Sequence, residues 1–399
     1  MDNDTPIGQR IRHYRTRLGL SQATLAGLVD RSESWLQKVE SGDLVMDSMS
    51  VLIALANVLK VGTWDLQPKL GLPPNGGAPL DPPKGIHGIR RAVLADPHAG
   101  PDRAPPSERE LSAAVEQVKH LNWDGSYEAV AHALPQVLAV GRAAVEHEVP
   151  GGWSGLAGAY SEASGLARVF GETDLACAIA DKSISTALRS GDDLLVTVAR
   201  LRLAMALMAA GWLDAAASVC SDAADEIAPT KDTGPEGWSV WGSVHFVGAS
   251  AAVRMTPRRM GDARRLLRDA RAAADRVGPG RNDYWQAFGP ASVTANEVGL
   301  ALESGDLTGA LRAAEHADID EMPGKWRRSR FLLDVAQAYG LRKDDAAAVN
   351  ALLQAEEHSP ETVRYSVIAH QLVRACLKRE QRHRTPQLRG LAERLDVTI

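Results

Sequence analysis

Asp318, Asp320 and Glu321 stand close enough in sequence to share a cation, although an acidic surface turn is the plainer reading. Cys177, Cys220 and Cys376 are too scattered for a disulfide framework. None forms a C-x-x-C pair with histidines at ligand spacing, so they read as buried, reduced thiols. The eleven histidines, His13, His87 and His98 among them, are dispersed and mark no metal site. There is no G-x-x-x-x-G-K-[ST] loop, no G-x-S-x-G and no H-E-x-x-H. The chain is expected to have no enzymatic activity, resident metal or cofactor. What remains is a row of hydrogen-bonding side chains. Glu33, Ser34, Gln37 and Lys38 share the outward face of a predicted helix over 32–41, opposite Trp35, Leu36 and Val39. Such a row makes reversible contacts and leaves covalent bonds alone.

The elements that must position this row are short and close together. A first helix turns Ile7, Ile11 and Leu18 inward and crowds Arg10, Arg12, Arg15 and Arg17 on its exposed surface. Ser21 is a suitable N-cap for a second helix over 22–28, with Leu25, Ala26 and Leu28 apolar. Ala26 is small enough for the next helix to cross nearby. Gly42 stops the third helix. A fourth, over 48–59, brings Met49, Leu52, Ile53, Leu55, Ala56 and Leu59 to a common core.

Composition sets wider bounds. Hydrophobic residues make up 45% of the chain but aromatics only 5%. Abundant alanine, leucine and arginine favour helix. Three zones follow: a small helical domain over 1–67, a Pro/Gly-rich linker over 68–106 and a helical domain over 107–399. The linker holds ten of the 21 prolines and the Gly76-Gly77 pair. One island within it, Ile86 to Ala95, can form a short helix or pack onto a neighbour. No signal sequence and no apolar run of transmembrane length is present, so a soluble, cytoplasmic protein without membrane contact is expected. The net charge of −5 argues against a general polyanion binder.

Beyond Ser107 the pattern is helical throughout. Leu194, Val198, Leu201, Met205 and Met208 step by four, three, four and three, forming an apolar stripe. Turn signals recur at Gly171-Glu172, Gly211 to Ala215, Gly261-Asp262-Ala263, Gly305-Asp306 with Ala310, and Lys343 to Ala346. Their spacing of 40, 50, 44 and 38 residues is roughly the period of helical hairpins. The glycines suit left-handed turns that stop a helix, and the aspartates suit caps of the next.

Residues 7–61 resemble the Cro/CI (XRE) family of helix-turn-helix domains nearly end to end. The matching residues are Leu20-Ser21-Gln22, Leu25-Ala26, Ser32 with Ser34, Val39-Glu40-Ser41-Gly42, and Leu52, Leu55, Ala56 and Leu59. The resemblance implies a lambda-repressor-like fold whose third helix enters the major groove of double-stranded DNA. Carried over by position, Ser32 opens the reading helix. Ser34, Gln37 and Lys38 become base-reading candidates and Ser41 a phosphate contact, while Gln22 sits at the groove edge bracing Glu33. Arg10, Arg12 and Arg17 are further backbone-contact candidates. Two residues depart from the family: Asp30, in the turn, and Glu33, an acid on the reading face that can accept a hydrogen bond from cytosine N4. Residues 1–65 hold seven Lys/Arg against eight Asp/Glu, so binding is expected to need a palindromic operator and a homodimer.

Residues 150–399 resemble a tetratricopeptide-type array of about six hairpins, with longer and less even periods than that family's roughly 34 residues. Together the domains are similar in architecture to the peptide-responsive quorum-sensing regulators grouped as RRNPP proteins. This implies an all-α chain whose α-solenoid senses a peptide, small-molecule or small-protein effector. Trp153, Trp238, Trp241, Trp285 and Trp326 fall near the starts of predicted first helices. With Tyr160, His245, Tyr284, Asn296, Arg330, Tyr365 and His370 they are candidates for lining a concave surface, although inter-repeat core is the plainer reading of the aromatics. Asn296, in mid-helix, could hold a peptide backbone. The basic run Lys325 to Arg330 could meet an acidic ligand, although a solvated helix face is the plainer reading. The rival reading is a protein-interaction module, an antitoxin or anti-regulator scaffold, whose repeats bind a partner protein.

Overall fold

The computed structural model describes residues 6–29, 31–42, 44, 51, 55, 58–59, 61, 66, 85–94, 105–255, 258–379 and 385–397. The chain divides into two compact units, Met1–Gly77 and Ala78–Ile399. All regular structure among the described residues is helical.

In the first unit α1 (Ile7–Arg17), α2 (Gln22–Leu28) and α3 (Glu33–Ser41) follow the expected order. Ser21 caps α2 by accepting a hydrogen bond from the Thr24 N–H at 3.0 Å, and Ser32 caps α3 through the Trp35 N–H at 3.2 Å. Gly42, left-handed at φ 87°, ends α3. The helices α1 and α3 touch at Gly8, where any Cβ would strike the Val39 carbonyl oxygen and stand 3.0 Å from the Glu40 Cα. Ile11, Leu25, Ala26, Leu36 and Val39 form the core with Val51, Leu55, Leu59 and Leu66. Within the fourth helix expected over 48–59, Met49, Leu52, Ile53 and Ala56 lie outside the described residues, as does Asp30.

One expectation for an apolar residue fails here. Leu18 is exposed, because α1 stops at Arg17 and Gly19 turns left-handed, so Leu18 caps the helix outside its inward face. Leu28, the last residue of α2, is exposed at 58%.

Most of the proline-rich segment lies outside the described residues. Its island is helical, α4 (Ile86–Leu94), and buries Ile86, Ile89 and Val93 among core residues of the second unit.

That unit then continues as six hairpins among the described residues: α5 (Glu108–Trp123) with α6 (Tyr127–Glu146), α7 (Gly152–Val169) with α8 (Thr173–Ala187), α9 (Asp193–Ala209) with α10 (Leu213–Glu226), α11 (Pro235–Arg254) with α12 (Met260–Val277), α13 (Pro290–Ser304) with α14 (Leu307–Glu315), and α15 (Lys325–Leu341) with α16 (Asp345–His358). α17 (Pro360–Arg364), α18 (Val367–Lys378) and α19 (Leu388–Arg394) follow. The first helix of each hairpin touches its counterpart in the next, forming an inner layer, while the second helices lie outside. This is the tetratricopeptide-like arrangement. It explains why α9 and α11 are buried on most sides, beyond a single stripe. Gly171, Gly211 and Gly305 take the left-handed turns, and Lys343 does so at the last of these signals. Asp306 and Asp344 cap the helices that follow. Gly261 differs: it lies inside the first turn of α12, and the bend between α11 and α12 precedes it.

The inner layer curves until α15 touches α5. Gly125, at φ 72°, admits no Cβ because the Ser359 hydroxyl occupies that space. The Thr362 hydroxyl donates to the Tyr127 oxygen at 3.1 Å, the Glu128 N–H donates to the Glu361 carboxylate at 2.8 Å, and the Tyr365 hydroxyl donates to Glu128 at 2.7 Å. Lys325 pairs with Asp124 at 3.1 Å.

Candidate functional site

On α3 the apolar residues Leu36 and Val39 are buried, and this sets the opposite face outward. Ser32, Glu33, Ser34, Gln37, Lys38 and Ser41 are all exposed. The acid Glu33 sits in the first turn, where the helix dipole favours negative charge. The Ser41 hydroxyl donates back to the Lys38 carbonyl at 3.1 Å. The guanidinium of Arg31 lies over the Trp35 ring at 5.9 Å.

The row is held by a buried acid that the sequence pattern matched without assigning it a role. Glu40 is 6% exposed. Its carboxylate accepts from Arg15 Nε at 2.6 Å and Nη2 at 2.9 Å, and from Gln22 Nε2 at 2.8 Å. Arg15 Nη1 donates to the Leu20 carbonyl at 2.8 Å. One carboxylate thereby joins all three helices, and the hydrogen bond to Glu40 raises the Arg15 pKa further.

Two expectations are corrected here. Gln22 braces Glu40 and not Glu33, because the α1–α3 contact brings Glu40 inward beside it. Arg10 is buried at 4% exposure beside Ile11, so it is not on the open surface of α1, and Arg15 is spent on Glu40. Arg12 and Arg17 remain exposed.

The second unit gathers charge on its inner layer. Glu162 on α7, 5% exposed, accepts from Asn122 of α5 at 2.7 Å and lies 3.8 Å from Arg202 of α9. Arg254 of α11 pairs with Glu303 of α13, and Arg330 with Asp334 one turn along α15 at 3.0 Å. Arg327 of α15 donates to the Gln286 carbonyl at 3.2 Å. Burial raises the Asp334 pKa and lowers that of Lys119. Arg168, at the end of α7, meets no carboxylate among the described residues. Desolvation, with Arg202, Arg330 and Arg254 nearby, brings its pKa down to about 10.

The expected effector residues separate into two groups. Asn296 and Arg330 lie on inner-layer helices, and Trp285, between α12 and α13, packs against one of them. Trp285 packs edge-on against His120 and Trp123 of α5, with Lys119 5.7 Å over its ring. Asn296 shares one helical face with Gly299 and Glu303, and its amide bonds to no other described residue. Trp238, Trp241 and His245 lie on α11, itself an inner-layer helix, but meet the outer helices. Arg276 of α12 covers the Trp238 ring, Trp241 stacks on His245, and the charges acting on His245 come from Asp269, Arg265 and Asp225 on the outer helices. Trp153 lies under Arg189, and Tyr160 is core. The Tyr284 hydroxyl donates to Asp192 at 3.0 Å, Trp326 lies beneath Arg327, and His370 stays with its own helix at the Ser366 carbonyl.

The members of these two networks that sequence reasoning did not single out are Glu40, Arg168, Arg202 and Arg254. Glu40 lay within the matched motif. The arginines come from three different helices, and no sequence spacing joins them. Asp318, Asp320 and Glu321 form a turn closed by the Asp318 carboxylate accepting from the Asp320 N–H at 2.9 Å. Among the described residues no group of three or more His, Cys, Asp or Glu could hold a metal ion, and no helix is long and apolar enough to cross a membrane.

No curated protein sequence matches the chain. Among solved structures, it is similar to Bacillus thuringiensis PlcR, described in complex with the peptide PapR7 and DNA, at 14% identity and a TM-score of 0.37, covering 85% of this chain and 98% of that one. Residues 6–67 match the family model described as a helix-turn-helix domain, and the first unit is a domain of that kind.

Proposed function

We propose that the protein is a sequence-specific transcriptional regulator that binds a palindromic operator as a homodimer, under the control of an effector held by the helical array. The observation that carries this reading is the exposed row Ser32, Glu33, Ser34, Gln37 and Lys38 on a helix whose other face is fixed by Leu36, Val39 and the Glu40 network. A reading helix needs adaptable donors and acceptors outward and a rigid mount behind them. Ser34, Gln37 and Lys38 supply base contacts and Ser41 a phosphate contact. Gln22 mounts the helix through Glu40.

The near balance of charge in residues 1–65 supports a dimer, since one head gains little from phosphate attraction alone. The experiment is selection of random double-stranded DNA on the full-length protein. An enriched inverted repeat is expected, and it should disappear with Ser34→Ala/Lys38→Ala while the far-UV helix signal stays intact. Retention of the same repeat by the double variant would remove α3 as the reader. Stoichiometric co-purification of a small protein, without operator enrichment, would instead establish the interaction-module reading.

A further inference from the structure

We infer that the inner layer of the array binds a compact, multiply charged oxyanion, carboxylate-rich or phosphorylated, between Arg168, Arg202 and Arg327, with Arg254 and Arg330 alongside. This names the chemistry of the effector and rests on the sensor role proposed above. Two of the guanidinium atoms involved, Arg327 Nε and Arg254 Nη1, are buried with no hydrogen-bond partner. A buried donor left unmade is costly, and guanidinium groups match planar oxyanions in a two-pronged geometry.

Charge balance points the same way. Six cations, Lys119, Arg168, Arg202, Arg254, Arg327 and Arg330, share four carboxylates, Glu116, Glu162, Glu303 and Asp334. Arg168 has no acid, and three arginines act on it instead. Arg202 also acts on Arg327, although it belongs to α9 and Arg327 to α15. The cations therefore come from helices well separated along the inner layer. Arg168, Arg202, Arg327 and Arg330 all keep partial solvent access, so an ion can reach them. Like charges gathered in excess over their acids are relieved when an anion enters. Asn296, with its unengaged amide, extends the donor set along α13.

The test is titration calorimetry on the full-length protein, without DNA, at fixed ionic strength because exposed charges are screened by salt. The probes are citrate and pyrophosphate. Arg168→Gln and Arg327→Gln should each weaken binding by about tenfold or more, the scale of one charge-assisted hydrogen bond, and each variant should keep the wild-type far-UV signal. Arg200→Gln, removing an arginine of α9 paired with Glu226, should leave binding unchanged. Binding of citrate alone assigns a carboxylate ligand, binding of pyrophosphate alone assigns a phosphorylated one, and both support the site. Binding of neither probe, or unchanged binding in both variants, overturns it. Since no DNA is present, failure here leaves the operator reading intact, and failure of operator selection leaves this site intact.

Discussion

Gln22 Nε2 donates to Glu40 Oε2 at 2.8 Å, so the first residue of α2 is tied to the buried carboxylate of α3 instead of being free at the surface. The same carboxylate is gripped by Arg15 from α1. Glu40→Gln leaves that guanidinium without its counter-charge. Loss of one partner from a buried ion pair costs roughly 3 kcal/mol. Hydrogen exchange followed by mass spectrometry should show faster exchange across residues 7–41, with peptides of the second unit unchanged.

Arg12 and Arg17 are exposed on α1 and carry no assigned reading role. Replacing either by alanine should weaken operator and random DNA alike, and flatten the salt dependence by about one ion each. Ser34→Ala/Lys38→Ala should instead erase the preference between them. Fluorescence anisotropy over a salt series separates the two behaviours.

Gly125→Ala puts a methyl group into the space of the Ser359 hydroxyl and forces alanine to φ 72°. Left-handed strain on a residue with a side chain costs about 1 kcal/mol or more, and the overlap adds to it. Thermal melting should show a lower midpoint. Exchange should rise in peptides covering 124–128 and 359–365, where the partners separate.

Burial holds the His245 pKa below its ordinary value, opposed by the hydrogen bond to the Trp241 carbonyl. A depressed folded pKa leaves stability intact above about 6.5, the unfolded value. Stability then falls as pH drops from there through the folded pKa, because the unfolded chain takes up the proton first. Melting midpoints should decline below about pH 6.5, and His245→Gln should reduce that slope. An equal slope in the variant would assign the decline to other groups.

The first unit was legible because its information is local. Ser21, Ser32 and Gly42 sit where caps and stops must sit, and the 33–38 row alternates with its core at helical spacing. What sequence could not give there was direction: Arg10 and Arg15 read as surface residues, but Arg10 is buried and Arg15 turns to Glu40 of α3. In the array, the turns at Gly171, Gly211, Gly305 and Asp344 gave the hairpins, since each is a property of a few adjacent residues. The aromatic residues were ambiguous because an inner and an outer helix both bury apolar faces. Only the packing of neighbours sets Trp285 against α5 and turns Trp241 toward the outer helices. The meeting of Arg168 with Arg330 depends on curvature summed over several hairpins, which no local pattern records.

The clasp at Tyr127–Thr362 joins residues 235 apart in sequence. An open stack of hairpins can unravel one unit at a time from either terminus, because each repeat answers only to its neighbours. A clasped stack resists this for the hairpins between the joined points: fraying must wait until the clasp releases. The same link delays assembly, since closing so long a loop costs about 1.5 kcal/mol more than closing one hairpin-sized loop. Neighbouring hairpins can therefore zip together early while the circuit closes late. Unfolding rates should report the clasp more sensitively than refolding rates.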